Sequence, residues 1–165
     1  MHVGDAHLLA DMYTESREFM APTDPARPAD FYTVEAQARN LRVLERDRAA
    51  DLAYRFLIEA DGEPVGVISV SRITRGPFQN AGLGYWVAEH ANGRGVATEA
   101  VRLVCEWGFG EARLHRLEAA TLVDNIASQK VLRRNRFTEI GVCPYYLHIA
   151  GAWRDHLLFA RTIED

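Results

Sequence analysis

Gly82-Leu83-Gly84-Tyr85-Trp86-Val87-Ala88-Glu89-His90-Ala91-Asn92-Gly93-Arg94-Gly95-Val96-Ala97-Thr98 is the stretch whose reading decides the fold. It reads as an apolar strand, Gly82 to Ala88, then a short glycine-rich turn, then the start of a helix that runs on to Phe109. A helix that begins straight after such a turn leaves its first N–H groups without intrahelical acceptors. The helix dipole adds partial positive charge at the same end. Phosphate oxygens suit that combination, and Arg94 inside the turn can add a charge-assisted contact. A turn that needs glycine dihedrals and binds nothing has the same sequence. The flanking chain has to separate the two.

Upstream, two hairpins lead into the stretch. Leu52 to Ala60 alternates as a strand, Asp61-Gly62 signals a tight hairpin, and Pro64 to Ile73 is the returning strand. Thr74 to Asn80 is a longer hairpin loop. Before these strands the spacing predicts two helices. One spans Asp5 to Met20 with Asp5 as N-cap; the other spans about Asp30 to Ala49 with Val34, Ala38, Leu41 and Leu44 as its inner stripe. Pro22, Pro25 and Pro28 separate them. Downstream, His115 to Val123 is a strand and Asn125 caps a short helix from Ile126 to about Asn135. Phe137 to Ile149 is a strand with a kink at Pro144, Ala150-Gly151 a turn, and Trp153 to Thr162 the last strand. The strand, helix, strand passage from Leu83 to Val123 should be a right-handed parallel crossover. The expectation is therefore one α/β domain over residues 1–165, with a mixed, mostly antiparallel sheet and a parallel pair at its centre.

Bulk properties exclude several classes. At 165 residues the chain can bury roughly 70% of its unfolded surface in one domain. A net charge of −4 does not support a nucleic-acid footprint. No apolar run reaches the ~20 residues of a membrane span, and no secretory signal is visible at Met1 to Asp5. The two cysteines, Cys105 and Cys143, lack CxxC spacing, and the six histidines share no ligand spacing, so no metal site is expected. A cytoplasmic protein with reduced cysteines fits these features.

A second constellation follows the crossover: Asn125-Ile126-Ala127-Ser128, then Val131-Leu132-Arg133-Arg134-Asn135-Arg136-Phe137. Together with the glycine turn it resembles the GNAT superfamily of acyl-CoA-dependent N-acetyltransferases. That family's pyrophosphate signature is Arg or Gln, two residues, Gly, one residue, then Gly or Ala. Asn92-Gly93-Arg94-Gly95-Val96-Ala97 fits it except at Asn92. The second signature, Asn-x-x-Ser before a helix ending in Gly-Phe, is met by Asn125 and Ser128 and departs at Arg136. A left-handed dihedral at Arg136 should cost ~1 kcal/mol. Arg75-Gly76-Pro77-Phe78, Leu83-Gly84-Tyr85 and the stretch from Tyr146 to His156 are similar to the RimJ/RimL type, the ribosomal-protein alanine N-acetyltransferases. That family usually has a strand before the first helix. Almost nothing precedes Asp5 here, so this edge strand is expected to be missing, and the central parallel pair is expected to be splayed.

The resemblance implies direct attack of an amine on the thioester of acetyl-CoA in a ternary complex. The turn from Asn92, Gly93, Arg94 and Gly95 to Val96, Ala97 and Thr98 would hold the pyrophosphate. The backbones of Trp86, Val87 and Ala88 would pair with the pantetheine amides, as a strand edge pairs with an extended chain. Asn125 would bond the pantetheine arm, cap its helix, or both. Ser128 would donate to the departing thiolate, its alternative being a solvent-facing serine in a first helical turn. Many relatives place a tyrosine seven residues after the asparagine for that purpose; here the place is Leu132. Lys130, Arg133, Arg134 and Arg136 would meet the cofactor's 3′-phosphate or form a solvated face. The carboxylate base that the family often carries on the central strand is replaced by Gly82. Tyr146 and His148 share one strand face and would border the acceptor pocket, and Asp155 reads as a structural hydrogen-bonding group. The implied acceptor is a protein N-terminal α-amine, such as that of a ribosomal protein. A small amine (an antibiotic or polyamine), succinyl transfer, and a binding module without turnover stay open, as does a homodimer. Neither a metal, nor nucleic acid, nor a membrane enters the reading.

Overall fold

A computed structural model describes residues 1–163. The described helices are α1 (Ala6–Glu15), α2 (Arg17–Met20), α3 (Val34–Ala49), α4 (Val96–Phe109) and α5 (Ile126–Arg134). The strands are β1 (Tyr54–Ala60), β2 (Glu63–Thr74), β3 (Asn80–Val87), β4 (Arg116–Leu122), β5 (Thr138–Ile149) and β6 (Ala152–Thr162). They form one sheet in the order β1-β2-β3-β4-β6-β5. All neighbours run antiparallel except β3 and β4, which are parallel.

The parallel contact is short. Only Asn80, Ala81 and Gly82 pair with Arg116, Leu117 and Glu118. Past Gly82 the two strands part, and β3 keeps β2 as its one partner through Val87. The splayed central pair is therefore present as expected. No strand precedes α1 among the described residues, and β1 stands at the outer edge of the sheet. An apolar groove of about 500 Å³ lies between that edge and α4, lined by Phe56, Ile58, Leu103 and Trp107 among others.

Two cores clamp the sheet. On one face Val101, Val104 and Cys105 of α4 pack with Leu132 of α5 against Ile68, Leu83, Leu117 and Phe159. On the other, Leu9 and Tyr13 of α1 and Leu41 of α3 pack against Val67 of β2, with Trp86 of β3 beside them. Burying the apolar stripes of these amphipathic helices drives the assembly. The inner stripe expected for α3 is there: Leu41 is fully buried, and Val34, Ala38 and Leu44 flank it.

Local chemistry moves several boundaries. Asp5 does not cap α1; its carboxylate accepts from the His2 N–H at 2.8 Å, closing a 3-10 turn at Val3–Asp5. The first helix breaks at Ser16, just after Thr14 Oγ1 donates to the Ala10 carbonyl at 2.7 Å, a bond that bends helices. α3 begins at Val34 rather than near Asp30, because Thr33 Oγ1 accepts from the Ala36 N–H at 3.2 Å as its N-cap. At Asp61 and Gly62 φ is 54° and 82°, the pair of left-handed residues that a two-residue hairpin needs. The kink at Pro144 is a register shift between Cys143 and Leu147. There the N–H of Tyr145 donates to Asp155 Oδ1 at 2.9 Å, so Asp155 makes the structural bond expected of it.

Candidate active site

The glycine turn and the Asn125 segment converge on one cleft of about 400 Å³. Its lining includes Trp86 and Val87 of β3, Asn92, Gly93, Gly95, Val96, Ala97 and Thr98 of the turn and α4, and Asn125 and Ser128 of α5. Phe19 and Met20 of α2 with Pro22 and Thr23 after it wall one side, and Lys130 and Arg134 stand on the α5 side.

The turn has the geometry of an anion cradle. Gly93 and Gly95 sit at φ 74° and 84°, which only glycine takes at little cost. No side chain caps α4, and its first intrahelical bond is Glu99 N–H to the Gly95 carbonyl at 3.0 Å. The N–H groups of Val96, Ala97 and Thr98 therefore have no acceptor within the helix. Asn92 holds the turn from beneath: its Nδ2 donates to the carbonyls of Ala88 and Val87 at 3.2 and 3.4 Å. The guanidinium of Arg94 turns away from the cleft and pairs with Asp61 at the β1–β2 hairpin.

The strand edge beside the turn is open. The Gln79 carbonyl accepts from Arg116 N–H at 3.1 Å, so it faces β4. Backbone alternation then aims Tyr85 and Val87 at the same side, where β4 has already departed. The N–H of Ala88 faces the other way and donates to the Val65 carbonyl at 2.7 Å. Of the three strand residues expected to meet the pantetheine, only Val87 thus turns its amide to the cleft, and Tyr85 joins it. Ala88 is buried, and the Trp86 ring lies against Tyr13 at 5.1 Å between centroids.

On the α5 side, Asn125 Oδ1 accepts from the Ser128 N–H at 3.0 Å, so the capping role is filled. Ser128 is half-buried and faces the cleft. Its Oγ lies 2.9 Å from the hydroxyl of Tyr85. Burial pushes the Tyr85 phenol up to about 12, against a smaller opposing effect of the Ser128 hydrogen bond. Leu132, at the place of the family tyrosine, is fully buried in the core. The two halves of the cleft are tied together by Asn135, whose Nδ2 donates to the carbonyls of Thr98 and Val131, each at 3.0 Å. Arg136 takes φ 61° directly after it, the left-handed dihedral expected where the family has glycine. Arg133 is spoken for by Glu139 at 2.8 Å, which leaves Lys130 and Arg134 as the cleft's cations.

Tyr146 is not part of the lining of this cleft but lines a small pocket of about 100 Å³ with Arg72, Arg116 and Glu118, and its ring lies tilted to that of His156 at 5.4 Å. His148 packs edge-on to Trp153 at 5.6 Å. At Gly82 a Cβ would come within 2.5 Å of Arg72 Nη2, so a guanidinium covers this position on the central strand. The Arg75-Gly76-Pro77-Phe78 motif proves to be a clamp: Arg75 bonds Asp51, Gln79 and the Ala112 carbonyl at 2.6, 3.2 and 2.7 Å. Tyr85 and Asn135 are the two site residues that pattern reading passes over. The signal for Tyr85 was the loss of the tyrosine at Leu132, which calls for a hydroxyl from another element.

Comparison with known proteins agrees with this geometry. Residues 1–138 match the family described as Acetyltransferase (GNAT) domain. The chain is 34% identical over 167 residues to [Ribosomal protein uS5]-alanine N-acetyltransferase of Escherichia coli (strain K12), covering 100% of this chain and 86% of that protein. The crystal structure of ribosomal-protein-S5-alanine acetyltransferase from Vibrio fischeri superposes with a TM-score of 0.95 at 33% identity, over 100% of this chain and 91% of that one. Mycobacterium smegmatis RimJ in complex with CoA-disulfide superposes with a TM-score of 0.94 at 32% identity, over 98% and 79%. A splayed parallel pair, an uncapped helix behind a glycine turn, and matches of this extent lead to one conclusion: the chain belongs to the GNAT family, in the company of the RimJ/RimL type, and is an N-acetyltransferase.

Proposed function

We propose that this enzyme moves acetyl from acetyl-CoA to the N-terminal α-amine of a protein, of the ribosomal-protein kind. The observation that carries the donor side is the convergence of three free amides at the start of α4, an open strand edge at Tyr85 and Val87, and the Ser128 hydroxyl in one cleft. The amides of Val96, Ala97 and Thr98 receive the pyrophosphate. The β3 edge pairs with the extended pantetheine arm as it would with a strand. That alignment delivers the thioester to Ser128, whose hydroxyl donates to sulfur as the C–S bond breaks.

The acceptor side rests on the relatives and on chemistry. The E. coli relative is named for the alanine of ribosomal protein uS5. An α-amine in a simple peptide titrates at about 7.7–8.0, a lysine side chain at about 10.4. A useful fraction of the α-amine is neutral near pH 7 without a strong base, which suits a chain with glycine at position 82.

The test is acetyl-CoA with a panel of peptides beginning in Ala or Ser, their N-blocked counterparts carrying an internal lysine, and small polyamines, followed by thiol release. The free α-amine peptides should turn over fastest. Faster release with polyamines or internal lysines would overturn the acceptor assignment.

A further inference from the structure

We infer that Tyr85 is a positioning residue for the leaving group: its hydroxyl donates to Ser128 Oγ and leaves the single serine proton for the departing sulfur. The inference rests on the acetyl-transfer reading above, and it adds a residue from β3 to a role that family pattern places on α5 alone.

The polarity of the pair follows from its surroundings. The Tyr85 hydroxyl has two acceptors on the same residue, Ser128 Oγ at 2.9 Å and the Ser128 carbonyl at 3.4 Å. Oγ is the nearer of the two acceptors and a phenol is a stronger acid than an aliphatic alcohol, so we assign the phenol as the donor to Oγ. A serine hydroxyl has one proton. If it were given to Tyr85, none would remain for sulfur. With Tyr85 donating, Ser128 is polarised and its proton faces the cleft, and hydrogen bonds in such a chain strengthen one another. The serine backbone is fixed as well, through its N–H on Asn125 Oδ1 at 3.0 Å. Leu132 is buried and offers no hydroxyl, so β3 supplies the one that α5 lacks.

The step balances without net ionisation of either residue. The amine nitrogen bonds to the acetyl carbon, the C–S bond breaks, and its electron pair goes to sulfur. Ser128 O–H hydrogen-bonds the thiolate, Tyr85 O–H hydrogen-bonds Ser128, and the amine proton leaves to solvent. The raised pKa of the phenol, about 12, keeps it a donor throughout the neutral range.

Four proteins test this: wild type, Tyr85→Phe, Ser128→Ala and the double variant. The ultraviolet absorbance of bound CoA thiolate against pH needs no acceptor amine. The bound thiol should titrate at the lowest pH in the wild type, with the thiolate fraction near pH 8 falling by about 3-fold or more in each variant. With whichever amine the wild type uses fastest, kcat should drop on the order of 10-fold in Tyr85→Phe and 100-fold in Ser128→Ala. The KM for acetyl-CoA should stay within about 3-fold. The double variant should match Ser128→Ala within about 2-fold, because a residue acting through the serine has nothing left to act on. Multiplying kcat losses, or an unchanged thiol titration in Tyr85→Phe, overturns the inference. If the wild type turned over no amine at all, acetyl transfer itself would fall, and the titration would still decide the role of Tyr85.

Discussion

At the scale of single residues, the charged side chains divide between those that line the cleft and those tied up in ion pairs of the fold. Lys130 and Arg134 line the cleft, whereas Arg133 is paired with Glu139 and Arg94 with Asp61. On the proposed reading, the first two are the candidates to meet a 3′-phosphate. Lys130→Ala and Arg134→Ala should each weaken CoA binding by roughly 3- to 10-fold, an exposed charge-assisted contact being worth about 1 kcal/mol. Neither should change the affinity for dephospho-CoA, which calorimetry with the two ligands would reveal; equal losses for both would place the 3′-phosphate elsewhere. Residues whose task is local were legible in advance: Asn125 caps the helix it precedes, and Arg136 takes the dihedral its place demanded. Tyr85 was not legible as Ser128's partner. The two are 43 residues apart on a strand and a helix, and no sequence spacing encodes which hydroxyl on one element meets which on another. Asn135 is hidden for the same reason, since its bond to the Thr98 carbonyl spans 37 residues.

At the scale of elements, the decisive unit is β3, the glycine turn and α4. Hydrophobic alternation and glycine placement give its order directly, and the structure reproduces the β3–α4–β4 crossover with shifts of a residue or two. Boundaries failed where side chains compete for backbone groups, as at Thr33 and Asp5. The direction of backbone amides also escaped the sequence, because it depends on register: β2 claims Ala88 and leaves Val87 free. A variant at Gly95 tests the turn. A Cβ there meets nothing within 4 Å, but φ is +84°, so Gly95→Val forces a left-handed β-branched residue at roughly 1–2 kcal/mol and puts methyl groups over the amides. CoA affinity should fall by at least about 10-fold while denaturant melting shows a folded protein. Unchanged affinity in that folded variant would move the phosphate site away from α4.

At the scale of the whole molecule, the two cores press on opposite faces of one sheet, and the cleft opens where the sheet divides. The order of elements and the parallel pair at the centre of the sheet followed from the sequence, whereas the placing of β6 between β4 and β5 did not. Nor did the depth of the division: a parallel pair that lasts three residues looks, in sequence, like a longer one. That brevity has a kinetic consequence. The amides of Tyr85 and Val87 belong to a central strand yet have no strand partner on the β4 side, so without ligand their hydrogens should exchange with solvent far faster than those of their β2-facing neighbours. Acetyl-CoA lying along that edge would complete the ladder for as long as it stays. Deuterium uptake at Tyr85 and Val87 should then slow on binding, and the slowing should survive any change of acceptor amine. On that reading product departure is the peeling of a temporary strand from a permanent one, and deuterium uptake at two amides reads what fraction of the time the edge is covered.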